Sequence, residues 1–286
     1  MTILPGHPIA PPDAPPPAKP PREPRGPRQG FGSRALVGGL AAVVALAGAG
    51  SWYALHSSGG TSPAASIAPV VHHHAALPGK QAAPHTKAAA MAAATKIFSV
   101  LPAQLPGYQV KGKASFHTND TTSDPATRAV DHCLAGATGK GIGVDSPTAL
   151  HRTPAPTVIA VNVSLSFMQS ATKAASDLAI LRSASTQRCL VHALVGRTVA
   201  MGAGASLVFT SIKPLHVPRG VVGLQYDGQV SSDVRGGQSV RIVLLASVVR
   251  GTEILVASTG LGAALPLSTD VRVLNAIVAQ THRVIG

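Results

Sequence analysis

Ala35–Leu55, ALVGGLAAVVALAGAGSWYAL, runs for 21 residues without a charge. As a helix rising about 1.5 Å per residue it would reach roughly 31 Å, close to the hydrocarbon thickness of a bilayer. Trp52 and Tyr53 stand at its far end, where amphipathic rings favour the headgroup boundary. The run therefore reads as a transmembrane helix, and it divides everything else in the chain into two compartments. Five Lys/Arg precede it, whereas the first basic residue after it is Lys80. Positive-inside asymmetry then leaves the N-terminus cytoplasmic and the C-terminal part extracytoplasmic, in a single pass at the cell membrane. A cleaved signal peptide is the rival, because Ala47-Gly48-Ala49 resembles a small-x-small cleavage site, but a proline-rich leader of 34 residues is long for that role. Gly38-x-x-x-Ala42 and Ala41-x-x-x-Ala45 are small-xxx-small spacings, a weak hint of helix pairing in so Ala-rich a run.

Residues 1–34 contain eleven prolines and no apolar period of either helix or strand, so they read as a disordered cytoplasmic tail. Pro17-Ala-Lys-Pro20 and Pro21-Arg-Glu-Pro24 match a polyproline recognition spacing, set against a tail with no dedicated partner. Residues 56–86 are rich in Ser, Gly, Pro and Ala and read as a flexible linker. His72-His73-His74 lies there with His56 and His85 nearby. A flexible His tract binds metal weakly without fixed geometry, and a solvated linker is the simpler reading, so no metal and no cofactor is assigned.

The remaining stretch, residues 87–286, must bury its core with small and aliphatic side chains, because apolar residues are 45% of the chain but aromatic ones only 3%. KAAAMAAATKIFSV predicts a helix with Met91, Thr95 and Phe98 on one face, ended before Pro102. LPAQLPGYQV reads as a turn into an extended piece, and Pro125–Gly136 as a short helix carrying Cys133. In Val158–Met168 a more apolar face, Ile159, Val161, Val163, Leu165 and Phe167, alternates with Val158, Ala160, Asn162, Ser164 and Ser166, which predicts a strand. From Ser170 to about Val195 the step lengthens. Ala171, Ala174, Leu178, Leu181, Ser185 and Cys189 form one stripe of a long helix, with Cys189 on its buried side. Strands follow at Ser206–Lys213, Val221–Ser231, Ser239–Val249 and Glu253–Thr259, with Arg250-Gly251 as a tight hairpin and Asp227-Gly228 as either a turn splitting its strand or, the favoured reading, a bulge within it. A helix from about Thr269 to Val284 closes the chain. It is capped by Ser268 or Thr269, with Asp270 in its first turn and a stripe of Val271, Leu274, Ile277 or Val278, and Thr281. The fold class expected is α+β, an antiparallel sheet of about five strands covered by helices on at least one face.

Two cysteines, Cys133 and Cys189, are all the chain has. Outside the cytoplasm they read most simply as one disulfide. His132 and His192 leave a thiol–base pair as the rival, Cys189 and His192 being able to share a helical face. A zinc site lacks any CxxC or paired-His spacing.

LPAQLPGYQV, a helix bearing DHCLAG, a strand, a long helix ending in QRCLVHAL and the hairpin VRIVLLASVVRGTEILVAST together resemble the PknH-like extracellular sensor domain over roughly residues 88–284. That domain is the outer part of some actinobacterial membrane Ser/Thr kinases and also occurs on membrane- or lipid-anchored envelope proteins. The resemblance implies an α/β sandwich-like domain with a cleft for an envelope ligand. The chain departs from it in two ways. The kinase members carry two disulfides and this chain has cysteines for one. The 34 residues before the span hold no kinase domain, so a sensing role would need a separate cytoplasmic partner.

Motifs for catalysis are missing. Glu253 is the single glutamate after the span, which removes zinc-protease helices and paired-Glu glycosidase chemistry. MGAGAS and RGGQSV lack Gly-x-Ser-x-Gly spacing. Gly139-Lys140-Gly141-Ile142-Gly143 resembles a phosphate cradle but lacks the Walker pairing and reads as a surface loop. Asp227 and Asp233 pair only if their strand bends back. The formal charge of +13 invites a nucleic-acid reading, yet the basic residues form no block and no aromatic interleaving, so nucleic acid is not expected as a partner. The expectation is a non-enzymatic, membrane-anchored extracytoplasmic ligand-binding or sensor module of the cell envelope, with an envelope lipid, glycan or peptide as ligand and its binding residues unassigned. The alternatives are a non-catalytic scaffold docking protein partners through the outer domain and the Pro-rich tail and, less favoured, an envelope hydrolase.

Overall fold

The computed structural model of the chain describes residues 84–116, 125–135, 137, 141–152, 157–202, 205–232 and 235–286. The tail, the apolar span and nearly all of the linker with its His tract lie outside the described residues. Among the described residues no helix is long and apolar enough to cross a membrane.

The elements in chain order are helices α1 (Lys87–Phe98) and α2 (Leu101–Gln104), strands β1 (Gln109–Lys111) and β2 (Ser115–Phe116), helix α3 (Pro125–Cys133) and strands β3 (Gly141–Asp145), β4 (Thr148–Arg152) and β5 (Val158–Met168). Helices α4 (Ala171–Arg182) and α5 (Ala184–Leu194) come next. Strands β6 (Thr198–Gly202), β7 (Ala205–Pro214), β8 (Val222–Ser232), β9 (Arg235–Val249) and β10 (Thr252–Leu261) and helix α6 (Leu267–Ile285) complete the order. One antiparallel sheet holds the strands in the order β1-β4-β5-β10-β9-β8-β7-β6, with β3 also on β5 and β2 on β3.

Helices cover both faces. Val130 of α3 with Leu134 just past its end, Leu178 and Leu181 of α4 and Leu190 and Leu194 of α5 pack with Leu224, Tyr226, Leu244 and Leu255 on one side. Ala94 and Ile97 of α1, Leu101 of α2 and Leu274 and Ile277 of α6 pack with Val163, Phe167, Leu245 and Ile254 on the other. β10 sits between these layers and is buried at every position, which is why its sequence shows no polar face. Tyr226 and Phe209 are the large rings of the first core, edge to face at 5.7 Å.

The sheet has ten strands where about five were expected. The additional ones, β1 to β4 and β6, are two to five residues long. Alternation cannot register over so few positions, and each takes its conformation from a longer neighbour. β3 and β4 share one edge of β5 as a single strand interrupted at Ser146-Pro147. Pro147 has no N–H to give, and the Ser146 hydroxyl takes the Val163 N–H at 2.9 Å across the break. Gly141 of the expected surface loop is strand instead, packed so closely that a Cβ would lie 2.7 Å from Met168 Sδ. Asp227-Gly228 runs unbroken through β8, and the extra residue of the bulge is Thr210 in β7 opposite.

The long helix expected over residues 170–195 is two. Ser183 turns to ψ 137° and serves at once as C-cap of α4, its N–H reaching Ile180 O at 3.0 Å, and N-cap of α5, its hydroxyl accepting the Thr186 N–H at 3.1 Å. The break restarts the helical phase, so α5 buries Thr186, Leu190, Ala193 and Leu194, leaves Ser185 exposed and holds Cys189 only half-buried. α1 likewise buries Ala90, Ala94, Ile97 and Phe98 in place of the Met91/Thr95 face. α6 starts after Pro266 with no side-chain cap, two or three residues earlier than Ser268 or Thr269 would set it, and Asp270 faces inward.

The β9–β10 hairpin turns on Arg250 (φ 47°) and Gly251 (φ 79°) as expected. Gly251 also accepts the Met168 N–H at 2.9 Å, and a Cβ on it would lie 3.4 Å from the Ala171 backbone. Gly251→Ala should therefore lower the unfolding free energy by about 1–2 kcal/mol, read by urea titration, through left-handed strain and crowding at the start of α4. An unchanged midpoint would show that the turn relaxes freely.

Candidate functional site

Glu253 begins the first core's side of β10, with Ser166 of β5 and Val248 of β9 as its strand neighbours. Its side chain is 3% exposed and lies beneath α4. Asp177 of α4 comes down onto it, itself 2% exposed. One helical turn earlier Lys173 places Nζ 2.9 Å from Asp177 Oδ1 and keeps a third of its side chain in solvent. Burial, then the Asp177 charge and a hydrogen bond to that carboxylate, push the Glu253 carboxyl up to about 8, with Lys173 pulling weakly the other way. At neutral pH Glu253 consequently holds its proton and donates it to Asp177, while Asp177 and Lys173 cancel. Glu253 Oε1 and the neighbouring Thr252 hydroxyl have no hydrogen-bond partner among the described residues. A core built only for packing would use apolar residues at these positions, since two buried carboxyls oppose folding.

Directly beyond this pair along α4 is an apolar seam. Leu181, one turn on from Asp177, meets Val222, Leu224, Leu244, Ala246 and Leu255, and the gap between them admits no more than a water-sized body. A larger guest can enter only if α4 lifts. The ends of α4 are suited to that. Its first turn rests on the Gly251 hairpin, and its last ends at the one-residue break of Ser183. Beyond the break α5 is pinned: Cys133 and Cys189 are joined, with Cα atoms 5.5 Å apart, tying α5 to α3.

A second buried carboxyl lies on the opposite side of β10. Asp270, in the first turn of α6, is fully buried, and neither oxygen meets a donor in good geometry among the described residues. Burial pushes it up to about 7, a rise that the Ser258 hydroxyl partly offsets. Its charge, after burial, also raises the Tyr108 phenol. Tyr108 stacks on His151 with ring centroids 5.0 Å apart, and His151 Nδ1 is 3.2 Å from the Gly107 carbonyl.

The other candidates are separated. His132 and His192 are both exposed, and neither cysteine is free, so the thiol–base pair has no sulfur to use. Asp227 is engaged at the surface by Arg241 Nε at 2.7 Å, by Gln225 and by Ser211. Burial alone would raise its carboxyl, but these partners outweigh it and hold it low. Asp233, Gly139 and Lys140 lie outside the described residues. No group of three or more His, Cys, Asp or Glu able to hold a metal occurs among the described residues. Sequence reasoning missed Asp177 and Lys173. Their signal was present: Asp177 stands three residues after Ala174 on the buried stripe, and Lys173 four before it.

No protein-family model matches the sequence. None of the curated proteins matches it either. Among solved structures the chain is similar to the extracellular domain of PknH from Mycobacterium tuberculosis, with 14% identity over 65% of this chain and 90% of that one, at a TM-score of 0.39. It is also similar to LpqN, involved in cell envelope biogenesis of Mycobacterium tuberculosis, with 13% identity over 61% of this chain and 83% of that one, at a TM-score of 0.24. The first of these is a domain of the type that the order of sequence elements resembles, and neither likeness brings a ligand or an activity to this chain.

Proposed function

We propose that the chain is a non-catalytic, ligand-binding or sensor module held outside the cytoplasm by the Ala35–Leu55 span, with residues 56–86 as its tether and residues 87–286 as the binding domain. The observation that carries the reading is the Glu253–Asp177 pair buried beside the apolar seam beneath α4. Ionisable groups placed where they oppose stability, next to a surface that a modest helix movement would expose, are the signature of a site under selection for more than packing. The disulfide supports the location, since such bonds persist in oxidising compartments. The ligand favoured is an envelope lipid, because the seam is lined entirely by aliphatic side chains.

Native mass spectrometry of the full chain, extracted gently from its own membranes, should show a co-purifying molecule. Its mass should be lost when Leu181→Trp fills the seam. An apo spectrum, together with no binding from envelope extracts, would count against the reading.

A further inference from the structure

Resting on that reading of the seam as the site, we propose that Glu253, Asp177 and Lys173 form a proton-operated latch on α4, and that its release opens the seam to an aliphatic chain. The geometry fixes each part. Asp177 and Lys173 are both on α4, and Glu253 is on the strand beneath, so their contact is a polar bond between helix and sheet on this face. Among the described residues the charged groups acting on Glu253 are Asp177 and Lys173, both from α4. Its neighbours on β5 and β9, Ser166 and Val248, are uncharged. With Glu253 protonated the trio is neutral and α4 is drawn down. Removing that proton leaves one uncompensated negative charge in a buried site, facing the Asp177 carboxylate. The charge is relieved when α4 tilts away and water enters. Because Leu181 lies one turn from Asp177 on the same helix, that movement withdraws one wall of the seam. Ser183 and the Gly251 turn bound the moving segment, and the Cys133–Cys189 bond keeps α5 from following. A closed seam with room for one water and a site able to hold a hydrocarbon chain are then two protonation states of one structure.

The test uses the full chain in lipid nanodiscs with a long-chain alcohol bearing a diazirine, a probe uncharged throughout the range studied. After photolysis at pH 6 and pH 9, labels are mapped by peptide mass spectrometry, and amide exchange of α4 is followed in parallel with correction for the intrinsic pH effect. Labelling of the peptides carrying Leu181, Leu224 and Leu244 should rise at least about tenfold from pH 6 to pH 9, since the ionised fraction of Glu253 rises by more than that. Exchange of residues 171–182 should rise with it, and Glu253→Gln, which cannot ionise, should stay at the low level at both pH values. Leu181→Trp should block the labels while leaving the exchange change intact. Equal labelling of the seam at both pH values in the unaltered protein would overturn the latch and leave the binding reading standing. Absence of seam labels at either pH would overturn both. A pH response that persists in Glu253→Gln would overturn the assignment to this carboxyl.

Discussion

Replacing Cys133 and Cys189 together by serine should lower the unfolding free energy of the domain by about 4 kcal/mol, the chain-entropy value for releasing a loop of this length. The bond closes a separation of 56 residues. Within that loop lie β3, β4, β5 and α4, so releasing it frees the strand that supports three others as well as the helix above Glu253. The bonded pair also does something that packing elsewhere does not. α3 contributes few large side chains to the core, Val130 within it and Leu134 just past its end, and the covalent tie holds it to α5. The loss should therefore be uneven. Amide exchange should rise first in residues 125–133, then in 184–194, with β10 and α6 protected until global unfolding. Urea titration of the double variant gives the magnitude and exchange gives the order. A loss under 1 kcal/mol with unchanged exchange in α3 would mean that the two helices are held by their apolar contacts alone.

How far the fold could be read from the sequence depends on segment length and on whether local pattern or distant partners set the conformation. β5, β7, β8, β9 and β10 were legible because ten to fifteen residues of alternating or continuous apolar character leave one solution. The Arg250-Gly251 turn was legible because two residues between such runs admit one tight geometry. β3 and β4 were not. GIGVD has the composition of a loop and becomes a strand only because β5 offers it an edge. The break at Ser183 was hidden for a different reason. Ser-Ala-Ser within a helical pattern is compatible with continuation, and the same Ser183 hydroxyl that could sit in a helix instead caps the next one through the Thr186 N–H.

The site was less legible than the fold. Glu253 stood out as the sole glutamate after the apolar run, but nothing near it in sequence announces the helix that buries it. Asp177 was hidden by its own element. An aspartate among Ala, Ser and Leu on a helix reads as surface unless the phase of the stripe is followed residue by residue. Asp270 was read as a charge favoured by the helix dipole. The first turn of α6 does hold it, but the helix begins two or three residues earlier than its apparent caps, and that position is buried. In each case the missing information was long-range burial, which determines the protonation state and cannot be read from neighbours in sequence.

The two buried carboxyls should make the domain most stable in mild acid and weaken it as pH rises through neutrality, the reverse of what paired surface carboxylates produce. In the folded chain Glu253 is raised from 4.5 to about 8 and Asp270 from 3.8 to about 7, in both cases mainly by burial. Between the unfolded and folded values the folded state binds the extra protons, so raising pH favours unfolding. Their contribution is complete below about pH 4 and is lost as pH climbs through about 7 for Asp270 and about 8 for Glu253. Each tenfold difference in proton affinity corresponds to about 1.4 kcal/mol, so even half of the two displacements removes on the order of 4 kcal/mol between pH 5 and pH 9. That is a large share of the 5–15 kcal/mol typical of a domain. Asp227 acts in the other direction. Held low by its surface partners, it contributes above its unfolded value and loses that contribution as pH falls, which limits the stable range on the acid side. Urea midpoints from pH 4 to pH 9 should thus decline across neutrality in the unaltered protein. Asp270→Asn should remove the earlier part of the decline and Glu253→Gln the later part. The two effects should add, because the side chains lie on opposite faces of β10 and share no partner. A flat profile, or three parallel ones, would mean that both carboxyls ionise within the fold at little cost, and the latch beneath α4 would lose its physical basis.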